Sequence, residues 1–172
     1  MRAVIVGCGR VGAGLAAALD QAGHRVVIVD IAAAAFDRLP STFSGEAVRG
    51  DGTDEDTLVR AGAHGADAFL ALTEGDNRNI MAAQVARESL EIPAVVAKIN
   101  DPVRARAYAD LGIATICRTT LVADVLLAFL GIAGSGDPAI HDAREHAHPM
   151  EPSPAAPGPG PVPTSIRIVG EG

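Results

Sequence analysis

The run Gly7-Cys8-Gly9-Arg10-Val11-Gly12 constrains this chain more than any other feature of its sequence. It directly follows a β-branched apolar run, Ala3–Val6, and directly opens a stretch of helical spacing, Arg10–Ala22, which Gly23 closes. In that strand-to-helix context the glycines have separate tasks. The first permits a tight turn, the second lets a pyrophosphate approach the backbone, and the third lets the helix lie close to the strand. The free N–H groups of the helix start then face the phosphates. Gly7, Gly9, Arg10, Val11 and Gly12 are therefore the expected phosphate-binding residues. A cation such as Arg10 is unfavourable against the dipole of a first helical turn, and an anionic ligand offsets that cost; plain solvation of the side chain is the alternative.

Strand-like and helix-like segments alternate beyond the loop. The strands are Arg25–Asp30, Glu46–Arg49, Asp67–Leu72, Ala94–Lys98 and Thr115–Ile116. Helical stretches read as Ala32–Leu39, Asp54–Ala61 with Thr53 as its N-cap, Asp76–Leu90, a segment opened by Asp101-Pro102, and Thr120–Leu130. This rhythm predicts an α/β fold, a Rossmann-type doubly wound parallel sheet, with ligands at the edge where the strands end. Residues are 48% hydrophobic but only 3% aromatic, so Ala, Val, Leu and Ile supply the core, as suits a parallel sheet covered by helices.

An acid at the end of the second strand is the second mark of a dinucleotide site. Asp30 stands there, 18 residues after Gly12, near the expected spacing of about 20, where it would bind ribose hydroxyls. Ile31 to Ala35 carry no positive charge, which favours NAD or an adenosine di- or triphosphate over NADP. Asp51 and Gly52 follow the third strand, and Asp51 either meets the adenine end or caps the turn Gly50-Asp51-Gly52. Thr73, Glu74, Asn77, Asn79, Lys98 and Asn100 sit at other strand ends or helix starts of the same edge.

The last helix, 120–130, carries an apolar stripe of Val122, Val125, Leu126, Phe129 and Leu130, with Leu121 and Leu127 beside it. A helix apolar over more than one face is buried on more than one side. It is expected to pack on a second subunit, or else to lie on its own sheet. From Gly131 the composition turns to Pro, Gly, Ala and Ser. The division expected is a nucleotide-binding domain at 1–131, a Pro/Gly-rich linker at 132–164 that is extended or disordered, and a strand-like stub at 165–172 that adds to a sheet or hangs free.

Several function classes are disfavoured. A net charge of −7 and a pI near 5.1 argue against a nucleic-acid partner. Cys8 and Cys117 are far apart in sequence, which suits a reduced cytoplasmic setting, and no signal peptide or membrane-spanning run is evident. Cys8 lies at a helix start, where thiol pKa falls; a small packing residue is the default reading and redox sensing the alternative. His141, His146 and His148 with Asp142 and Glu145 lack a closed ligand set, and no metal site is expected. No catalytic residues are expected either. There is no Tyr-x-x-x-Lys pattern around the sole tyrosine, Tyr108, and His24 and His64 sit by predicted turns.

Taken together, the glycine run, His24, Asp30, Gly50-Asp51-Gly52-Thr53, Ala66-Asp67-Ala68-Phe69, Asp76-Asn77-Arg78-Asn79-Ile80 and Lys98-Ile99-Asn100-Asp101-Pro102 resemble the N-terminal domain of TrkA-type potassium-uptake regulators, the RCK or KTN domain. The resemblance covers about residues 1–131. It implies a non-enzymatic, cytoplasmic regulatory subunit, peripheral to the inner face of the cell membrane, that senses NAD(H) or ATP/ADP and gates a Trk/Ktr-type membrane partner. It also implies a homodimer, or a hetero-oligomer with a related subunit, formed through the helix at 120–130. By the same resemblance Gly7, Gly9, Arg10 and Gly12 hold phosphates, Asp30 the ribose, Asp51 and Thr73 the adenosine portion, and Lys98 reaches toward the phosphates. Where many relatives carry a Pro-Glu pair after the last strand this chain has Thr119-Thr120, which argues against cation coordination there. A small NAD-dependent oxidoreductase is the rival reading.

Overall fold

The computed structural model describes residues 1–134, 136, 139–141 and 168–169. Six parallel strands form its centre: β1 (Arg2–Val6), β2 (Arg25–Asp30), β3 (Glu46–Arg49), β4 (Ala68–Ala71), β5 (Ala94–Lys98) and β6 (Ala114–Ile116). Two short strands flank them, β7 (Ile140–His141) antiparallel to β6 and β8 (Ile168–Val169) parallel to β3. The spatial order is β7-β6-β5-β4-β1-β2-β3-β8. The chain moves outward from β1 to β3, then crosses back to β4 on the other side of β1. That reversal leaves a crevice beyond the ends of β1 and β4, the place where a doubly wound sheet binds ligands.

Apolar residues alternate onto two faces. On one, Val4, Phe69 and Val95 pack with residues of α2 (Glu55–Arg60), α3 (Asp76–Gln84) and α4 (Pro102–Asp110). On the other, Ile5 and Ile28 pack beneath α1 (Arg10–Gln21) and a short 3-10 segment, Ala33–Arg38, which contributes Phe36. The fold class expected from the sequence is the one found.

Local departures have identifiable causes. Asp54, not Thr53, caps α2: its carboxylate accepts from the Thr57 N–H at 3.0 Å and hydroxyl at 2.6 Å. Thr53 is engaged elsewhere, since its N–H and hydroxyl both donate to Asp51. The helix expected over 76–90 is regular only to Gln84, then widens into a π turn over Val85–Ser89, where the Leu90 N–H donates back to the Val85 carbonyl. The last helix, α5 (Arg118–Phe129), begins two residues earlier than expected, and within it only Thr120 is buried. Its apolar stripe does not lie on its own sheet: Val122, Val125, Leu126 and Phe129 are exposed, Phe129 to 87%. Of the segment expected to be linker, 132–134, 136 and 139–141 are described, and Ile140–His141 forms β7. Of the expected stub only 168–169 are described; the side chains of the candidate metal cluster lie outside the described residues.

The glycine loop holds the structure at its narrowest point. A Cβ on Gly12 would fall on the Gly7 carbonyl oxygen, whereas one on Gly14, exposed on the same helix, would meet nothing within 4 Å. Gly12→Ala is therefore expected to lower unfolding free energy by about 3 kcal/mol, the upper range for overpacking. Gly14→Ala is expected to raise it by about 0.5–1 kcal/mol through helix propensity. Urea denaturation of both variants checks the contrast.

Candidate functional site

A cavity of about 340 Å³ opens at the β1–β4 crevice. Its walls come from the ends of four strands and the loops after them: Val6 to Gly9, Val29 to Ala32, Gly50 to Gly52, and Leu72 to Glu74. Gly7 adopts φ +104, a left-handed conformation that glycine accepts readily. A Cβ there would press on the Thr73 backbone nitrogen, so the loop after β1 and the end of β4 meet backbone to backbone. Gly9 is the N-cap of α1 and offers no side chain to satisfy the first-turn N–H groups, which are left for a ligand.

Asp30 is fixed by the loop it serves. Its carboxylate accepts the Cys8 N–H at 2.7 Å and the Ala32 N–H at 2.9 Å. Each oxygen keeps acceptor capacity for a ribose hydroxyl. Cys8 itself is fully buried, and burial first, then the charge of Asp30, pushes its thiol up to about 11. The low pKa that helix position alone suggests is thus reversed, and the thiol is a packing residue, not a reactive one. Asp51 closes a local turn, accepting from the Thr53 N–H and hydroxyl, and also lines the cavity.

Thr73 reaches the cavity wall through a buried bracket. Asn79, fully buried at the start of α3, accepts from the Thr73 N–H at 2.8 Å and hydroxyl at 2.6 Å. Its amide donates to the Thr73 carbonyl at 3.0 Å and the Lys98 carbonyl at 2.7 Å. One side chain thereby ties the end of β4 to the end of β5. Asp76 repeats the device, accepting from the N–H and side-chain amide of Asn100, both at 2.9 Å, and from the Asp101 N–H.

Of the residues expected from sequence, Gly7, Gly9, Asp30, Asp51, Gly52 and Thr73 line the cavity. Arg10 and Val11 are exposed on the first turn of α1, and Gly12 is buried beneath it; none of the three forms the wall. Lys98 also stands off the wall, 8% exposed, with Arg118, Glu74 and Asp76 in its field. Desolvation first, and then Arg118, pull its ammonium below the ordinary lysine range. Sequence reasoning passed over two cations in the lining, Arg38 and Arg78. Arg38 lies eight residues beyond Asp30, and only the fold of the intervening 3-10 segment returns it to the cavity. Arg78 sits on α3 two residues past its start, a position in the run Asp76-Asn77-Arg78-Asn79 that points to the sheet edge.

The sequence pattern of the TrkA-N domain matches residues 3–119. The chain is 48% identical over 135 residues to the Trk system potassium uptake protein TrkA of Streptomyces coelicolor (strain ATCC BAA-471 / A3(2) / M145), covering 78% of this chain and 60% of that protein. The match thus spans about three fifths of that relative's length. Among solved structures, the TrkA-N domain of the inner membrane protein ybaL from Escherichia coli superposes with a TM-score of 0.66 at 19% identity, covering 75% of this chain and 96% of that one. The AMP-bound Kef CTD of Shewanella denitrificans gives a TM-score of 0.61 at 22% identity, covering 76% and 82%. At these identities the structural likeness is one of fold.

Lys98 is a buried cation for which the described residues supply no ion pair. Its folded pKa is lowered, so the unfolded chain binds more protons between that value and the ordinary one, and stability rises with pH across that window. Lys98→Met should therefore raise the unfolding midpoint of the ligand-free protein at pH 7, with a smaller gain at pH 10. Scanning calorimetry at the two pH values reads it, and equal midpoints for variant and parent at pH 7 would count against the assignment.

Proposed function

The chain belongs to the TrkA-N domain family, and from that membership and its cavity we infer that it is a nucleotide-sensing regulatory subunit of a potassium uptake system. The observation that carries this reading is the joint geometry of glycine loop and acid. Asp30 is locked to the loop through the Cys8 N–H, at the switch point of the sheet, with the uncapped start of α1 beside it. The ligand proposed is NAD(H) or ATP/ADP. Gly7, Gly9, Arg10, Val11 and Gly12 take the phosphates, Asp30 the ribose, Asp51, Gly52 and Thr73 the adenosine portion, and Lys98 the phosphate tail. A solved neighbour of the same fold is described in its AMP-bound form, which supports an adenine nucleotide. Residues 1–131 form the nucleotide-binding domain in this reading, with 132–164 a linker and 165–172 a strand-like stub, of which Ile168–Val169 pairs with β3.

The output is proposed to be assembly. On the face of Ile5 the register runs Ile5–Leu70–Val96–Ala114. Leu70, Val96 and Ala114 are only half-buried, while α1 and the 3-10 segment pack over β1 and β2. The exposed apolar side chains of α5 match this half-covered face. A second copy or a related subunit, joined through α5, buries both. The complex then acts on a Trk/Ktr-type membrane subunit from the cytoplasmic face. Among the described residues no helix is long and apolar enough to cross a membrane. The relative in Streptomyces coelicolor carries the name of a potassium uptake protein, which supports regulation over the rival oxidoreductase reading.

Two measurements test this. Isothermal titration with NAD⁺, NADH, ADP and ATP should give micromolar binding of at least one, weakened tenfold or more in Asp30→Ala. Absence of binding by all four would remove the sensing role. Light scattering should show Val125→Asp and Phe129→Asp as monomers where the parent is a dimer; a variant that stays dimeric would place the interface away from α5.

A further inference from the structure

The residues directly after Asp30 carry no cation, and on that ground the sequence favours a ribose without a 2′-phosphate. The fold changes the inventory of that end of the cavity. Ala32 to Ala35 are four alanines in succession, and the 3-10 segment they enter turns the chain back so that Arg38 lines the cavity with Asp30, Ile31, Ala32 and Ala35. Between Asp30 and Arg38 in sequence, the wall is lined only by Ile31 and by the small side chains of Ala32 and Ala35. One arm is anchored, Nη1 donating to the Ala35 carbonyl at 3.3 Å. Among the described residues no carboxylate pairs with Arg38, although Asp30 shares the wall. Asp30 is instead held by the Cys8 and Ala32 N–H groups. Arg38 shares the cavity wall with Cys8 and Gly9 of the glycine loop.

A guanidinium presents up to five donors in a fork that matches a phosphate, and an arginine near the ribose is the usual means of admitting a 2′-phosphate. We propose that Arg38 makes the ribose end of this cavity a receptor for an adenosine 2′-phosphate, so that the site accepts NADP(H) as well as NAD(H). The proposal rests on the nucleotide reading above and names a specificity residue within it. Asp30 repels the same phosphate, so the expected outcome is weak discrimination and not a reversal of preference.

The test is isothermal titration with NADH, NADPH, 5′-AMP and 2′-AMP, on the parent and on Arg38→Gln. The parent should bind NADPH within tenfold of NADH. Arg38→Gln should weaken NADPH and 2′-AMP tenfold or more, and NADH and 5′-AMP less than threefold. Equal losses for all four ligands would assign Arg38 to the 5′-phosphate or the base and overturn the proposal. So would no change in any, or a parent that binds NADPH more than tenfold more weakly than NADH. Failure of all four to bind the parent would overturn the nucleotide reading itself, and the proposal with it.

Discussion

The closeness of α1 to the end of β1 governs the functional edge. Gly12 sits over the Gly7 carbonyl with no room for a methyl group. Gly7 in turn takes a left-handed conformation and lies against the Thr73 backbone. The glycine loop and the end of β4, remote in sequence, are therefore held at backbone contact, with α1 packed directly on the loop. Interiors are close-packed and transmit such constraints over short distances. A helix standing one side chain further out would carry its free N–H groups away from Asp30.

Polar brackets supply the second level of order. Asp30, Asn79 and Asp76 each bind backbone groups from a neighbouring strand end. A buried amide group left without a partner costs about 1–3 kcal/mol, so each bracket is specified as firmly as an apolar contact. Asn79 uses both its oxygen and its nitrogen, and an apolar residue of the same size would orphan groups on two strands. The edge is consequently stiff before a ligand arrives, which lowers the ordering cost of binding.

The alternation of apolar strands and helical stretches made the sheet legible in the sequence, because buried parallel strands leave continuous β-branched runs such as Val26 to Val29. The positions of the glycine loop and Asp30 at the sheet edge were legible because their spacing is imposed by backbone geometry. Arg38 was not, since its place depends on how an alanine run folds, and alanine leaves the choice between helix and 3-10 turn to its surroundings. The cap of α2 was misassigned because Thr53 and Asp54 are both good caps, and the choice was made by Asp51, which engages Thr53. The direction of the α5 stripe was open because amphipathic spacing reports that a face is buried without saying against what.

Under the proposed reading the cavity and α5 must be coupled, and the Asn79 bracket is the physical connection between the strand ends they adjoin. Its oxygen holds Thr73 at the cavity wall and its nitrogen holds the carbonyl of Lys98. The Lys98 ammonium lies in the field of Arg118, the first residue of α5. Two like charges, one of them buried, oppose each other where the apolar helix begins, and a phosphate tail placed nearby would relieve both. A ligand shifts an arrangement of subunits only if it binds one arrangement better than another. Under the proposed reading that difference arises at the Lys98–Arg118 pair.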